Sequence, residues 1–265
     1  ACMSKTLILS DIHFSKPSSS ALSAKMFTPL FTDVDTLILN GDTAETLSKK
    51  MSAPSIALTE DLISLVSKSG IEVVLITGNH DPDISKTHHV FEFEKRVLIM
   101  HGHAVLDGVA PWSWRCKHIK ELMSNQPSPK SIDEVLEQIT EVSQQVGTDA
   151  MESNKPPIIK MALLGAPAVF HIIKTWFNYP TIIYKFLQQY APKTKVCITG
   201  HTHRQGVWIR NDVVIINTGC FAKYALPSSP LAVVLDSDQR TVTVHSIKMT
   251  REGFKLAKLL FEFTI

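Results

Sequence analysis

Short apolar runs that stop at glycine or at polar residues recur along much of the chain. Six of them have the length and β-branched character of buried strands. The runs are residues 7–9, 37–39, 73–76, 97–99, 196–198 and 213–216. Between the second and third runs, Leu62, Leu65 and Val66 share one face of a predicted helix that starts near Thr59 and is closed by Gly70. This alternation predicts an α/β fold.

The chain after Gly200 is predicted to be richer in strands. Strand patterns cover residues 206–209, 213–216, 231–235 and 241–247, with turn signals at residues 210–212 and 237–239. A second sheet is therefore expected.

Five of the predicted strands lead directly into residue types that bind metals. The segments are Asp11-Ile12-His13, Gly41-Asp42, Gly78-Asn79-His80-Asp81, His101-Gly102-His103 and Gly200-His201-Thr202-His203. Open α/β sheets place their chemistry at the carboxyl ends of the strands, so these side chains should converge. The sequence therefore predicts a metal centre, most simply a dinuclear one.

The residue types and their spacing suit such a centre. Asp11 and His13 are two positions apart, so on an extended segment both side chains point the same way. His201 and His203 repeat this spacing, and the two oxygens of Asp42 could bridge two cations. Mixed carboxylate, imidazole and amide ligands favour manganese, iron or zinc over an all-oxygen magnesium or calcium site.

In this order, the five motifs resemble those of the calcineurin-like metallophosphoesterases. The resemblance covers about residues 5–247, apart from a long stretch between the fourth and fifth motifs. It implies a four-layer α/β/β/α sandwich and a phosphoester hydrolase in which a metal-activated hydroxide attacks phosphorus. It also implies two divalent metal ions, with manganese favoured and iron or zinc as alternatives. One metal would be held by Asp11, His13, Asp42 and His203, and the other by Asp42, Asn79, His101 and His201.

Four further polar residues have predicted places around the metals. The resemblance implies that His80 faces the phosphate and acts as a catalytic residue, and Asp81 is expected to orient its imidazole. Arg204 is interpreted either as a phosphate contact or as a surface charge. His103 is interpreted as a loop residue beside the site.

The segment 104–195 departs from the smallest members of the family and is predicted to be a helical insertion in a single domain spanning residues 1–265. Ser131-Ile132-Asp133-Glu134 has the pattern of a capping box that begins a helix. Residues 155–195 contain six lysines and no acidic residue, among many aliphatic and aromatic side chains. This segment could form a lid over the metals, an interfacial membrane patch, or a helical pair with its own small core.

The position and character of this insertion are similar to those of the cap in UDP-2,3-diacylglucosamine diphosphatases. Those enzymes typically have Gly-Asn-Arg-Asp in the third motif, where this chain has His80. The predicted substrate is a phosphodiester or diphosphate with an apolar part, either a phosphorylated small molecule or a lipid-linked one. The alternatives are a nucleotide phosphodiesterase, a phosphomonoesterase, a nuclease, or a scaffold that has lost catalysis.

Composition adds limits to this picture. The chain has 265 residues and a formal net charge of +2, without a nucleic-acid-binding signature, so nucleic acid is not the favoured partner. Its four cysteines are scattered, which favours a reducing compartment. No signal peptide is predicted before the first strand. We therefore expect a cytoplasmic protein, with peripheral membrane contact through residues 155–195 as a possibility.

Overall fold

The computed structural model describes residues 4–113, 115–146, 157–223 and 229–265. Its strands are β1 (Lys5–Leu9), β2 (Thr36–Asn40), β3 (Glu72–Ile76), β4 (His89–Glu92), β5 (Val97–Met100), β6 (Val196–Thr199), β7 (Gly206–Arg210), β8 (Val213–Asn217), β9 (Leu231–Asp236), β10 (Thr241–Thr250) and β11 (Gly253–Thr264). Its α-helices are α1 (Ser52–Lys68), α2 (Cys116–Ser124), α3 (Ile132–Val146) and α4 (Pro157–Tyr190), and two short 3-10 helices cover Ala24–Leu30 and His103–Val105.

The strands form two sheets, and each contains three neighbouring parallel strands, β1, β2 and β3 in the first and β5, β6 and β8 in the second. The first has the order β11-β10-β9-β1-β2-β3, and the second has the order β4-β5-β6-β8-β7. Parallel registers bring the strand ends level in each sheet, with Leu9 opposite Leu39 in the first and Ile99 opposite Ile198 in the second. The polar segments that follow these strands therefore leave the sheets at one edge.

Alternating side chains along the strands build the layers. Ile8 and Ile38 of the first sheet pack with Ile99, Ile198 and Ile216 of the second in a core between the sheets. The intervening residues face outward because successive side chains of a strand point to opposite faces. They pack against α1 and the first 3-10 helix, through Leu7, Leu9, Leu37, Leu39, Leu62, Val66 and Phe27.

The outer face of the second sheet is covered by α3 and by the C-terminal part of α4. Tyr179, Ile183 and Leu187 of α4 are buried in one cluster with Cys197 of β6 and Ile215 of β8. The predicted four-layer α/β/β/α sandwich is confirmed, with the helical insertion supplying its fourth layer.

If residues 155–195 formed a lid over the metals, their aromatic side chains would be expected to face a substrate, and the packing corrects this expectation for three of them. Tyr179 is buried in the helix–sheet core, and Tyr184 and Phe186 pack against that core, so these aromatic side chains do not face a substrate. Residues on both sides of Gly165 are helical, but Gly165 itself has a φ of 76° and interrupts α4. In the part of the chain that the structure describes, no helix combines the length and apolar character needed to cross a bilayer.

Several elements differ from the sequence predictions, among them β4, a strand that was not predicted. Helix α1 begins at Ser52 instead of near Thr59. It can include Pro54 because a proline in the first turn of a helix removes no helical hydrogen bond. Strand β11 follows β10 through a tight turn and forms one edge of the first sheet, although no strand was predicted there.

Candidate metal centre

The ends of five strands meet in one cluster of potential ligands. Atoms of four side chains lie within 4.8 Å of one another, and these are Asp11, His13, Asp42 and His203. A second group with the same limit shares one member with the first and consists of Asp42, His101 and His201. The predicted ligands of both metals are thus brought together, apart from Asn79, whose amide is described below.

The backbone of this cluster has an unusual conformation. Five of the seven predicted ligands have positive φ angles, and these are Asp11 (52°), His13 (51°), Asp42 (52°), His201 (67°) and His203 (57°). Residues other than glycine adopt this left-handed region at a cost on the order of 1–3 kcal/mol, and a cluster of five within one site is typical of functional sites. The loops after β1 and β2 hold each other there, because the His13 N–H donates to the carbonyl of Asp42 at 2.9 Å.

Two glycines allow the carboxylates to approach the backbone closely. A Cβ atom at Gly78 would collide with the Asp42 side chain and its backbone nitrogen, and one at Gly200 would collide with the carboxylate of Asp11. The glycines that precede Asn79 and His201 are therefore required by the space that the carboxylates occupy.

In each of three histidines, one ring nitrogen donates a hydrogen bond to the protein, and the other ring nitrogen is left to bind a metal. The Nδ1–H of His13 donates to Glu45 (2.6 Å), and that of His101 donates to the carbonyl of Asn40 (3.0 Å). The Nε2–H of His201 donates to the carbonyl of Val109 (2.9 Å). Metal-binding histidines typically show this arrangement, because the second bond fixes the ring and its tautomer.

Polar atoms of His101, His201 and Asn79 are buried without a hydrogen bond, although His101 Nε2 lies 3.3 Å from a carboxylate oxygen of Asp42. His101 Nε2, His201 Nδ1 and the Asn79 side-chain oxygen have no hydrogen-bond partner among the described residues. A buried polar atom without a hydrogen bond is costly, and three such atoms in one site are suited to coordinating a cation. These residues therefore fit a divalent metal ion.

Electrostatic interactions within the cluster are strong. Burial would raise the pKa of Asp42, but His101 and His80 hold it well below its ordinary value. Burial would lower the pKa of His101, but the charges of Asp42 and Asp11 outweigh this effect and raise it to about 9. The pKa of His201 falls to about 3 because it is buried beside His101. The site therefore concentrates negative charge that attracts cations.

A family model described as calcineurin-like phosphoesterase matches residues 4–205. The chain belongs to this family. No curated protein matches the sequence of this chain significantly.

Several solved structures are similar to this calcineurin-like phosphoesterase over nearly their whole length. Vacuolar protein sorting 29 from Cryptosporidium parvum is 13% identical with a TM-score of 0.49, and the match covers 100% of both chains. The phosphoesterase YfcE from E. coli is 14% identical with a TM-score of 0.46, and 98% of this chain and 99% of YfcE are covered. A predicted phosphoesterase from Streptococcus pneumoniae is 13% identical with a TM-score of 0.47, and 100% of this chain and 99% of that one are covered.

Glu45 is a buried residue of the site that the sequence analysis did not identify. One carboxylate oxygen accepts the Nδ1–H of His13 and lies 3.2 Å from the Lys16 ammonium. The other accepts the Nδ1–H of His80 at 2.9 Å. Burial would raise the pKa of Glu45, but His80 and Lys16 lower it, so the carboxylate is charged. Glu45 thus orients one predicted ligand and the predicted catalytic histidine together. An acidic residue three positions after Asp42 is the only signal for this role in the sequence.

The structure corrects the role expected for Asp81. Its two oxygens accept backbone N–H groups at 2.7–3.0 Å, from Asp42, Thr43, Ala44 and Gly78. Because these donors engage both oxygens, Asp81 shapes the loop that carries Asp42, and Glu45 contacts the imidazole of His80 instead.

Arg204 and His103 lie next to the ligand groups. The Arg204 guanidinium donates to the carbonyl of Trp176 at 2.7 Å, and its role as a phosphate contact stays a prediction. His103 is buried with its ring 5.4 Å from that of His101, and it belongs to none of the three groups of potential ligands found among the described residues.

The contacts of Glu45 lead to a test. Glu45→Gln keeps the shape of the side chain but puts an amide donor where one histidine N–H now donates. Loss of an outer partner of a metal-binding histidine costs roughly 10–100-fold in metal affinity or activity. We expect a loss of this size in metal titrations of the purified variant. The exposed Glu121→Gln on α2 is the control, and equal metal affinity in the two variants would contradict the role of Glu45.

Proposed function

We propose that this calcineurin-like phosphoesterase is a dinuclear-metal-dependent hydrolase of a phosphodiester or diphosphate that carries an apolar part. The observation that carries the proposal is the position of Asp42, which belongs to both ligand groups. One carboxylate shared by two sets of ligands is the arrangement that a pair of cations needs in order to bind side by side.

We propose that the ligands divide between two cations. Asp11, His13, Asp42 and His203 would hold the first, and Asp42, Asn79, His101 and His201 the second. When bound, two such ions polarise the phosphoryl group and lower the pKa of a water molecule that can attack phosphorus. The nitrogen and oxygen donors suit manganese, and iron and zinc are alternatives.

His80 is the side chain best placed to handle a proton near these ligands. Its Nδ1 is held by Glu45, which leaves Nε2 available to a substrate. Its ring lies edge-on to that of His13, with ring centres 5.0 Å apart, and it is partly exposed. We therefore assign to His80 the protonation of the leaving oxygen and stabilisation of charge on the phosphate.

An exposed apolar stripe on α4 supports the apolar part of the substrate. Phe170, Ile173 and Phe177 are 63%, 45% and 69% exposed, and their spacing places them on one face of the helix. The Phe177 ring lies 5.2 Å from the Arg204 guanidinium, and Arg204 directly follows the ligand His203. The stripe is therefore connected to the ligand loop, and exposed Lys174 adds positive charge beside it.

Other functions of the same site remain alternatives within this proposal. They are a nucleotide phosphodiesterase, a phosphomonoesterase or a nuclease, and, in a different class, a non-catalytic scaffold. Phosphomonoesters, phosphodiesters and diphosphates tested with manganese, iron, cobalt and zinc distinguish these activities. A protein that binds two metals and hydrolyses none of the substrates would be a scaffold.

The bridging role of Asp42 gives the most direct test. Asp42→Asn removes the charge that two cations would share, so we expect it to lose both metals and turnover. Elemental analysis of the purified protein and assays of a chromogenic phosphodiester measure these losses. The exposed Asp238→Asn in the β9–β10 turn is the matched control. Two full equivalents of metal and normal activity in Asp42→Asn would exclude a bridging role.

A second test concerns proton donation by His80. His80→Ala should keep its metals while kcat for an alkyl phosphodiester falls by roughly 10²–10⁴-fold. The loss should be smaller for a p-nitrophenyl ester, because this leaving group needs little protonation. His118→Ala, an exposed histidine on α2, serves as the control. Equal losses for both esters would leave charge stabilisation as the role of His80.

A third test concerns the stripe. The double variant Phe170→Ala/Phe177→Ala should raise KM for a long-chain phosphodiester by at least about 10-fold, since burying even one phenylalanine is worth roughly 1.5–3 kcal/mol. KM for a short-chain ester should not change. Ile209→Ala removes an exposed apolar side chain of β7 outside the stripe and is the control. Sedimentation with anionic vesicles, in a separate experiment, shows whether the stripe binds a membrane surface. Equal changes for long and short chains would argue against an apolar subsite.

A further inference from the structure

The loop that carries two predicted ligands is attached to helix α4. Thr202 lies between His201 and His203 and is buried. Its backbone carbonyl accepts the indole N–H of Trp176 at 3.0 Å. A side chain of the helix therefore fixes the peptide group between Thr202 and His203.

A second contact runs in the opposite direction. The Arg204 guanidinium donates to the backbone carbonyl of Trp176 at 2.7 Å. The same group lies over the rings of Phe177 and Trp208, at 5.2 and 5.6 Å from their centres. A planar guanidinium can donate hydrogen bonds and stack on aromatic rings at once, which a lysine cannot do. The loop and the helix are therefore joined by two reciprocal hydrogen bonds.

The other side of the loop is held by the second sheet. The Asn217 amide at the end of β8 donates to the Thr202 hydroxyl at 3.1 Å and also bonds the carbonyl of Gly200. The loop is thus fixed between β8 on one side and α4 on the other.

We propose that Trp176 and Arg204 are positioning residues for His201 and His203, an inference that rests on the proposed metal centre. Both histidines have positive φ angles, and such a backbone persists only where the surroundings over-determine it. Metal ligands must be held to within roughly 0.5 Å of their productive positions, and two bonds from a helix meet this demand.

The helix is a firm support for this clamp. Tyr179 lies three residues after Trp176 and is buried against the second sheet, and Ile183 and Leu187 continue the same buried face. The Trp176 indole is therefore presented by a helix whose next three turns are anchored in the core.

The inference is tested with two conservative variants. Trp176→Phe removes the indole N–H and keeps an aromatic ring, and Arg204→Lys keeps the charge and removes the planar donor. We expect each to weaken metal binding by about 10-fold, as loss of an outer partner of a metal ligand does. Calorimetric titration with Mn²⁺ measures the affinity of the metal-free protein, and the Mn²⁺ electron paramagnetic resonance spectrum reports the ligand geometry. Asn178→Ala, exposed on the same helix, is the matched control, and melting temperatures of the metal-free proteins are compared.

Each outcome decides a different point. Weaker binding and an altered spectrum in both variants, with wild-type behaviour in the control, support the inference. Wild-type metal affinity and spectra in both variants overturn it and leave the proposed function intact. A lower melting temperature with unchanged metal affinity shows a purely structural role and also overturns it. If the wild-type protein binds no metal, the proposed function fails first and the inference fails with it.

Discussion

The carboxylates of Asp11 and Asp42 keep their negative charge although both are removed from water, and the site is organised around this constraint. Burial would raise the pKa of each, but nearby histidines hold both below their ordinary values. An uncompensated buried charge is costly, so positive charge must lie next to these oxygens. Protonated histidines and divalent cations meet the same demand. The electrostatics that raise the pKa of His101 are therefore those that would bind a metal ion.

The two sheets contribute different chemistry to this centre. The ends of β1, β2 and β3 provide Asp11, Asp42 and Asn79, and the ends of β5 and β6 provide His101 and the pair His201 and His203. The first sheet also contributes two imidazoles, that of His13 after β1 and that of His80 after β3. Because the sheets pack face to face, their carboxyl ends bring oxygen donors against nitrogen donors without any long loop. The family assignment and the ligand grouping both follow from this arrangement of strand ends.

The strands and the ligand types could be predicted from sequence because both are local signals. A buried strand is a short apolar run, and a ligand directly follows it, as Asp42 follows β2. Glu45 and Asp81 could not be assigned in this way. Their partners depend on left-handed turns at Asp11, His13 and Asp42, which fold the loops back on one another. The environment of the α4 side chains could not be predicted either, because it depends on distant parts of the chain. Phe177 and Tyr179 are both aromatic and two positions apart, yet Tyr179 is buried and Phe177 is exposed.

Helix α4 contributes to the core, to the ligand loop and to an exposed apolar surface. Its C-terminal turns form part of the core, Trp176 bonds the ligand loop, and Phe170, Ile173 and Phe177 face outward. An occupant of this stripe would contact the helix that fixes the peptide group between Thr202 and His203. Coupling between two binding sites is reciprocal. If an apolar group bound at the stripe increased the affinity for metal, bound metal would increase the affinity for the apolar group by the same factor.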